Sequence, residues 1–387
     1  GGGGRGALPP QHSSSVLFFS SSADKDSLHP VIDVSPILTP NHRDRERAVE
    51  QIGKALRIRG YFYAQNVSVL SEDYIKSVYG YSELIHNLPV DVKRQYSQRD
   101  GHGAYSGLDI GQAELAYDPS TISSVRAWDY SRTRFTLKKS DAPQQNRYPS
   151  ADLVKPSYVD FLDDLYERQN VLGQALMVAF AECLELPERT FVDMFTGLRG
   201  KNAKDTEVGG EEEEEEEEED AGDFGTIRLL SYPEMHESEV RTANMGISAH
   251  TDFEAFTLMH QDAPGLQFIP MSGKGWVDAP VRPGEFVVIV GDVLERFTNG
   301  VLKATPHRVV LTPHHRQSII RFNAVTAGTL IAPFPQFVDE KRGMPSRYSP
   351  VTMRTHMETT MRNLEQGLGA WDNDKQVSLT ATYDYSR

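Results

Sequence analysis

The chain has 387 residues, 39% hydrophobic and 25% charged, the balance of an ordinary globular protein. No apolar run approaches the roughly 20 residues of a membrane-spanning helix, and the single cysteine, Cys183, excludes an internal disulfide framework and any cysteine-based zinc site. The formal net charge of −15 owes ten charges to the run Glu211–Asp220, and the remainder shows no basic stripe, so nucleic acid is not an expected partner.

Residues 1–28 are Gly-, Ser- and Pro-rich and read as a disordered tail. The short apolar patch Val16–Phe19 is too weak for a secretory signal, so a cytoplasmic protein is expected, with organelle import if the tail is the remnant of a transit peptide. Order is expected from His29. Val31–Val34 suits a short strand. Asp44–Arg59 carries Ala48, Ile52, Ala55 and Leu56 at helical spacing, with Gly60 as its stop. Tyr61–Ala64 reads as a strand and Ser71–Leu88 as a helix ended by Pro89. Lys155–Glu185 predicts one or two long helices with Tyr158, Leu162, Leu165, Leu172 and Leu176 on one side. Cys183, in that apolar stretch, reads as a buried small hydrophobe. The acidic run reads as a solvated loop. From Thr226 onward short apolar runs alternate with turn residues: Ile227–Leu230, Phe256–Met259, Leu266–Ile269, Phe286–Val290, Arg308–Leu311 and Ser318–Phe322. Short strands of this kind predict a sandwich, jelly roll or barrel. A last helix is expected over Pro350–Glu365.

Chemistry concentrates in Ser248–Phe253. Period two would place His250 and Asp252 on one face of a strand, and His307 lies 55 residues beyond Asp252, with several strands between to bring it back. Two imidazoles and one carboxylate on one face of a metal leave positions open, the donor set of non-haem Fe(II) oxygenases. Nine residues after His307, Arg316 and Ser318 share a strand face. A guanidinium and a hydroxyl together suit the far carboxylate of a dicarboxylic co-substrate.

The order His250-x-Asp252, His307, Arg316-x-Ser318 resembles the isopenicillin N synthase-like branch of the Fe(II)/2-oxoglutarate-dependent dioxygenases. Gly265-Leu266-Gln267, Gly275-Trp276, Pro283-Gly284, Gly291-Asp292, Thr298-Asn299-Gly300 and His307-Arg308-Val309 are similar in type and order, as are Val31-Ile32-Asp33, Arg59-Gly60-Tyr61-Phe62 and Leu88-Pro89 with Lys93. The resemblance covers residues 29–366. It implies an α+β, mainly β fold: a double-stranded β-helix (jelly-roll) core over 225–335, a helix-rich N-terminal region over 29–200 packed on it, an acidic loop over 201–224, and a C-terminal helix and tail over 336–387. It implies Fe(II) on His250, Asp252 and His307, and 2-oxoglutarate on Arg316 and Ser318 with help from Tyr232. O2 would be the second co-substrate and ascorbate a candidate reductant. The sequence departs from the family's Asn-x-Tyr-Pro segment at Leu230, which cannot hydrogen-bond the co-substrate.

The implied activity is oxidation of a small molecule's C–H bond, by hydroxylation, desaturation or cyclisation in specialised metabolism, coupled to decarboxylation of 2-oxoglutarate to succinate. The stretch Gly101–Phe135 is expected on the substrate side, with Tyr105, Arg126, Trp128, Tyr130, Arg132 and Arg134 as candidates and Phe253 as a wall. An inward arginine would favour a carboxylate or amino-acid derivative. His260, His314 and His315 are not expected to bind metal. Two alternatives stand beside this reading: an Fe(II) oxidase that uses no 2-oxoglutarate, and a non-catalytic binding protein on the same fold.

Overall fold

The computed structural model describes residues 28–98, 103–107, 117–118, 122–132, 147–195, 225–234, 244–271, 275–383 and 385. The tail before residue 28, Arg134 and the acidic run lie outside the described residues.

Thirteen strands form two sheets among these residues. In chain order they are β1 (Val31–Asp33), β2 (Tyr61–Gln65), β3 (Tyr105–Gly107), β4 (Ile122–Ser123), β5 (Arg126–Tyr130), β6 (Thr226–Tyr232), β7 (Asn244–His250), β8 (Phe256–Gln261), β9 (Leu266–Phe268), β10 (Val277–Asp278), β11 (Phe286–Val290), β12 (His307–Val310) and β13 (Arg316–Asn323). The large sheet runs β1-β2-β11-β8-β13-β6-β5-β3 and the small one β10-β9-β12-β7-β4. Pairings are antiparallel except β1 with β2 and β4 with β7. All six strands expected after residue 226 form. Residues 29–200 supply five of the thirteen, so the two halves of the chain share both sheets.

The helices are α1 (Ser35–Leu38), α2 (Arg45–Arg59), α3 (Glu72–His86), α4 (Val90–Arg94), α5 (Tyr158–Cys183) and α6 (Thr190–Phe195), followed by Asp292–Phe297 and Met353–Glu365. The Asp292–Phe297 helix was not expected from the sequence. Its six residues are too few to show a period. Ser71 and Ser157 cap α3 and α5 by accepting the N–H groups of Tyr74 and Asp160. Gly60 ends α2 at φ 80°, and a Cβ there would stand 2.2 Å from Thr305 Oγ1. No helix among the described residues is long and apolar enough to cross a membrane.

Strand parity sorts the large sheet's side chains into two cores. Phe62, Trp128, Ile227, Leu229, Leu258, Phe286, Val288 and Ile319 face the helices, where Leu162, Leu165, Leu172 and Leu176 of α5 are completely buried. Tyr61, Tyr63, Ala127, Leu230, Tyr232, Met259, Val287, Ile289 and Ile320 face the small sheet and meet Ile247, Leu266, Phe268 and Val309. β11, Phe-Val-Val-Ile-Val, is buried on both faces because it lies between helices and barrel interior. At about 1.5–3 kcal/mol for each large side chain, such burial outweighs any local preference of so short a segment. Cys183 packs on α2 beside Gly53, its thiol donates to the Phe180 carbonyl, and burial pushes its pKa up to about 11, as suits a small hydrophobe.

Candidate metal centre

β7 and β12 are neighbours in the small sheet, and His307 lies directly opposite His250. Two residues on β12, from His307 to Val309, match three on β7, from His250 back to Ile247. This bulge lets His250 point inward although Ile247, an odd number of positions away, also does. Asp252 is not on a strand. β7 ends at His250 and the chain bends, so the period-two argument does not apply to the carboxylate. Contacts beyond its own strand place it instead. Thr257 Oγ1, inward on β8, donates to Asp252 Oδ2 at 2.5 Å, and the Asp252 carbonyl accepts from the N–H of Asp292 at 2.9 Å.

The three side chains converge. Asp252 Oδ1 is 3.6 Å from His250 Nε2 and 3.5 Å from His307 Nε2, and one donor atom from each residue lies within 4.8 Å of the others. Among the described residues this is the one His/Cys/Asp/Glu cluster suited to a metal ion. Each imidazole is oriented from behind: His250 Nδ1 is 2.8 Å from the Ser248 carbonyl and His307 Nδ1 is 3.0 Å from that of Thr305. A carbonyl only accepts, so each Nδ1 carries the proton and each Nε2 presents a lone pair to the centre. Thr305 Oγ1 in turn donates to the Gly60 carbonyl at 2.8 Å, tying His307 to the end of α2. Burial alone would raise the Asp252 carboxyl, but His307, His250 and Thr257 hold it down at about 2. Burial also lowers His307 to about 4. At neutral pH the cluster therefore offers an ionised carboxylate and a neutral imidazole from His307, as a divalent cation requires. Glu254 and Asp292 behave oppositely: burial first, then neighbouring carboxylates, push them up to about 8 and about 7.

At another level of the barrel, Arg316 and Ser318 face inward on β13 and are buried. The guanidinium donates to Ser318 Oγ, Gln261 Oε1 and the Ala263 carbonyl at 3.3, 3.1 and 3.3 Å and sits 4.5 Å from the centre of the Tyr232 ring. These hydrogen-bond acceptors are neutral, and the nearby Asp262 carboxylate, which feels the guanidinium, is bonded to the Gln317 N–H instead. A buried cation held this way suits an anionic ligand. Thr257 and Gln261 stand four residues apart on β8, about 13 Å of strand, with Met259 between them on the same face. Leu230, opposite Ser318 and completely buried, adds only apolar surface there.

The residues expected on the substrate side divide. Ala127 on β5, like Val125 just before it, points into the barrel, so Arg126, Trp128 and Tyr130 point towards the helices. Tyr105 pairs with Trp128 and packs against it in that outer core. These four therefore lie on the wrong face of the sheet to reach the metal centre. Arg132 pairs with Asp163 and Glu167 of α5. Phe253 is placed beside the centre, clustered with Leu364 and Ala370. His260 faces the helices and meets Tyr79, while His314 and His315 are exposed.

Sequence reasoning missed Tyr117, whose ring stacks on His250 with centroids 4.1 Å apart and meets Phe253 edge-on at 5.8 Å. No local pattern marks it. Thr257 and Gln261 were also missed, though polar residues at both ends of one face of an apolar strand are a readable signal. Gly291 is the fourth omission in role. A Cβ there would stand 2.3 Å from the Glu254 carbonyl oxygen, so glycine lets the next helix approach the Asp252 loop.

Residues 224–324 match the model of the 2OG-Fe(II) oxygenase superfamily, and residues 29–149 match that of the N-terminal region described as non-haem dioxygenase in morphine synthesis. A homoarginine-6-hydroxylase of Oryza sativa subsp. japonica is 25% identical over 347 residues, covering 85% of this chain and 94% of its own. A 2-oxoglutarate-Fe(II) type oxidoreductase of Metarhizium rileyi is 29% identical over 303 residues, 72% of each chain. Among solved structures, the dioxygenase for auxin oxidation in rice superposes with a TM-score of 0.60 at 20% identity, over 88% of this chain and 96% of that one, a likeness of fold.

Proposed function

We infer that this chain, which belongs to the 2-oxoglutarate/Fe(II) oxygenase superfamily, holds Fe(II) on His250, Asp252 and His307 and anchors 2-oxoglutarate on Arg316 and Ser318 to oxidise a small molecule. One observation carries the reading: a three-donor cluster and a buried guanidinium with neutral partners share one barrel. A divalent cation, the Asp252 carboxylate and the Arg316 guanidinium sum to two positive charges, which a dicarboxylate dianion neutralises. When bound, iron and 2-oxoglutarate supply the oxidising chemistry, consuming O2 and releasing succinate and CO2.

The chain's own residues supply geometry. Three protein donors leave coordination positions open. The Ser248 and Thr305 carbonyls fix the imidazole tautomers, and Thr257 fixes the carboxylate. Leu230, Met259, Val287, Ile289 and Ile320 make the barrel interior apolar and strengthen the charge interactions within it. No protein side chain is needed as a general base.

A carboxylate or amino-acid derivative is the finer substrate reading. One thing supports it: a relative is named as a homoarginine-6-hydroxylase. Arg228 also faces inward on β6, but a carboxylate already neutralises it. Arg228 is held by Asp129 through paired bonds of 2.8 and 2.9 Å. Tyr117 and Phe253 add an aromatic wall, which suits an apolar or planar portion of the same molecule.

The test is an anaerobic titration with Fe(II) and then 2-oxoglutarate, following the visible charge-transfer band, with succinate release measured over carboxylate and non-carboxylate substrates. Arg316→Ala is expected to weaken 2-oxoglutarate roughly 10- to 100-fold, the worth of a charged hydrogen-bonded contact. Iron binding with oxidation but no succinate would favour the 2-oxoglutarate-independent alternative. A chain that binds no iron would be a binding protein on this fold.

A further inference from the structure

The loop that carries Asp252 is pinned at four successive carbonyls. Those of Asp252, Glu254 and Ala255 accept from the N–H groups of Asp292, Val293 and Gly291 at 2.9, 3.1 and 2.9 Å. The fourth, Phe253 O, is 3.2 Å from Nε2 of His356, a completely buried residue of the Met353–Glu365 helix. Because a carbonyl only accepts, Nε2 carries the ring proton and Nδ1 is left as an acceptor. Tyr385 OH stands 2.9 Å from Nδ1 and donates to it. Its oxygen accepts from Arg296 at 2.6 Å, and the same guanidinium nitrogen also donates to the Thr380 carbonyl at 2.8 Å. Arg296 lies 5.2 Å from the Tyr385 ring centre, within cation–π reach. A directed chain of donors thus runs from Arg296 through Tyr385 and His356 to a carbonyl one residue from Asp252. The same segment reaches the other side of the centre. Ala370 N–H donates to the Tyr117 carbonyl at 2.8 Å, and the Tyr117 ring covers His250.

We propose that His356 and Tyr385 are positioning residues for the metal centre: the tyrosine hydroxyl fixes the His356 tautomer, and the imidazole N–H fixes the Phe253 carbonyl, so the segment after the last long helix sets how well Asp252 meets the metal. The inference rests on the metal-centre reading above. With the opposite tautomer, a nitrogen lone pair would face the carbonyl lone pairs and the loop would lose one of its four anchors. The Tyr385 hydroxyl has a second acceptor in reach, the Thr380 carbonyl at 3.3 Å, but that carbonyl already accepts from Arg296 at 2.8 Å, so the nearer Nδ1 is the better partner for the hydroxyl proton.

The experiment uses the full chain with Co(II) as the probe, read by calorimetry and by the visible d–d absorption that reports coordination geometry. Tyr385→Phe keeps the ring and removes the hydroxyl. It is expected to weaken Co(II) binding about 3- to 10-fold and to shift the absorption envelope, while His356→Leu weakens binding about 10- to 100-fold, the usual range for outer partners of metal ligands. His356→Gln, whose amide N–H can reach the same carbonyl, should recover most of the affinity. If Tyr385→Phe and His356→Leu bind Co(II) within about twofold of wild type and with an unchanged spectrum, the relay is wrong and the metal centre stands. Loss of thermal stability with unchanged affinity in the folded protein would make the contacts purely structural and overturn the proposal as well. Should His356→Leu fail to fold, Tyr385→Phe decides alone. A wild-type protein that binds no Co(II) would overturn both this proposal and the reading beneath it.

Discussion

Alanine at Gly291 would put a Cβ 2.3 Å from the Glu254 carbonyl oxygen, 3.1 Å from its carbon and 3.2 Å from the Ala255 oxygen. All three atoms are backbone, so no side chain can rotate away. The φ of −108° at Gly291 suits alanine, which leaves the contact as the whole perturbation. Relieving it needs about 1 Å of movement between the Asp292–Phe297 helix and the 252–255 loop, since van der Waals contact begins near 3.4 Å. That movement strains or breaks the bonds from the Gly291, Asp292 and Val293 N–H groups to the Ala255, Asp252 and Glu254 carbonyls. At about 1 kcal/mol each, with overpacking added, the cost is about 3–5 kcal/mol. The larger consequence falls on Asp252, because metal–ligand distances tolerate only about 0.2 Å. Gly291→Ala is therefore expected to lower the denaturation midpoint and to weaken Co(II) binding by about 100-fold. Gly80→Ala is the control. That glycine lies inside α3 with nothing within 4 Å of a built Cβ, so the change should stabilise by about 1 kcal/mol and leave metal affinity alone. Calorimetric titration and chemical denaturation measure both quantities. Wild-type affinity and stability in Gly291→Ala would refute the argument that this close approach seats the ligand loop.

Thr257→Val removes the hydrogen bond to Asp252 Oδ2 while keeping the β-branched shape; metal affinity should fall about tenfold with little change in fold, and equal affinity would remove Thr257 from the site. Burial lowers His86 to about 3, with Lys93 and Arg126 opposing its protonation and its bond to the Leu229 carbonyl favouring it. Its folded pKa lies below the unfolded value of 6.5, so the unfolded chain takes up the proton first. The stability it contributes is complete above pH 6.5 and is lost as pH falls from 6.5 towards about 3. Relative to His86→Gln, wild type should lose about 1 kcal/mol between about pH 6.5 and 5.5, and about 1.4 kcal/mol over the next unit down, measured by urea denaturation at each pH. Parallel pH profiles for the two proteins would show that His86 is not held neutral.

Much of the chemistry was readable locally. Metal binding demands particular donor atoms and carboxylate anchoring demands a guanidinium, so His250, Asp252, His307 and Arg316-x-Ser318 stood out by residue type and order. The apolar runs from Ile227 to Phe322 were long enough to read as strands, and the caps and periods of α2, α3 and α5 were likewise local. The region from Tyr105 to Tyr130 showed no clear period, and its three strands were missed. There parity shows that Arg126, Trp128 and Tyr130 share a face. Which face is the barrel interior depends on β6 pairing with β5 across about a hundred residues of chain. The placement of Asp252 is likewise tertiary, because it lies beyond the end of β7 and is held by groups from β8 and the Asp292–Phe297 helix. Gly291 and His356 act on it by close approach and by a hydrogen bond spanning 103 residues. The sequence by itself determined which atoms could bind metal and co-substrate, because those are properties of single residues. Only the tertiary structure decided where the atoms stand and what holds them there, because a hydrogen bond or a steric contact exists only once distant segments have been brought together.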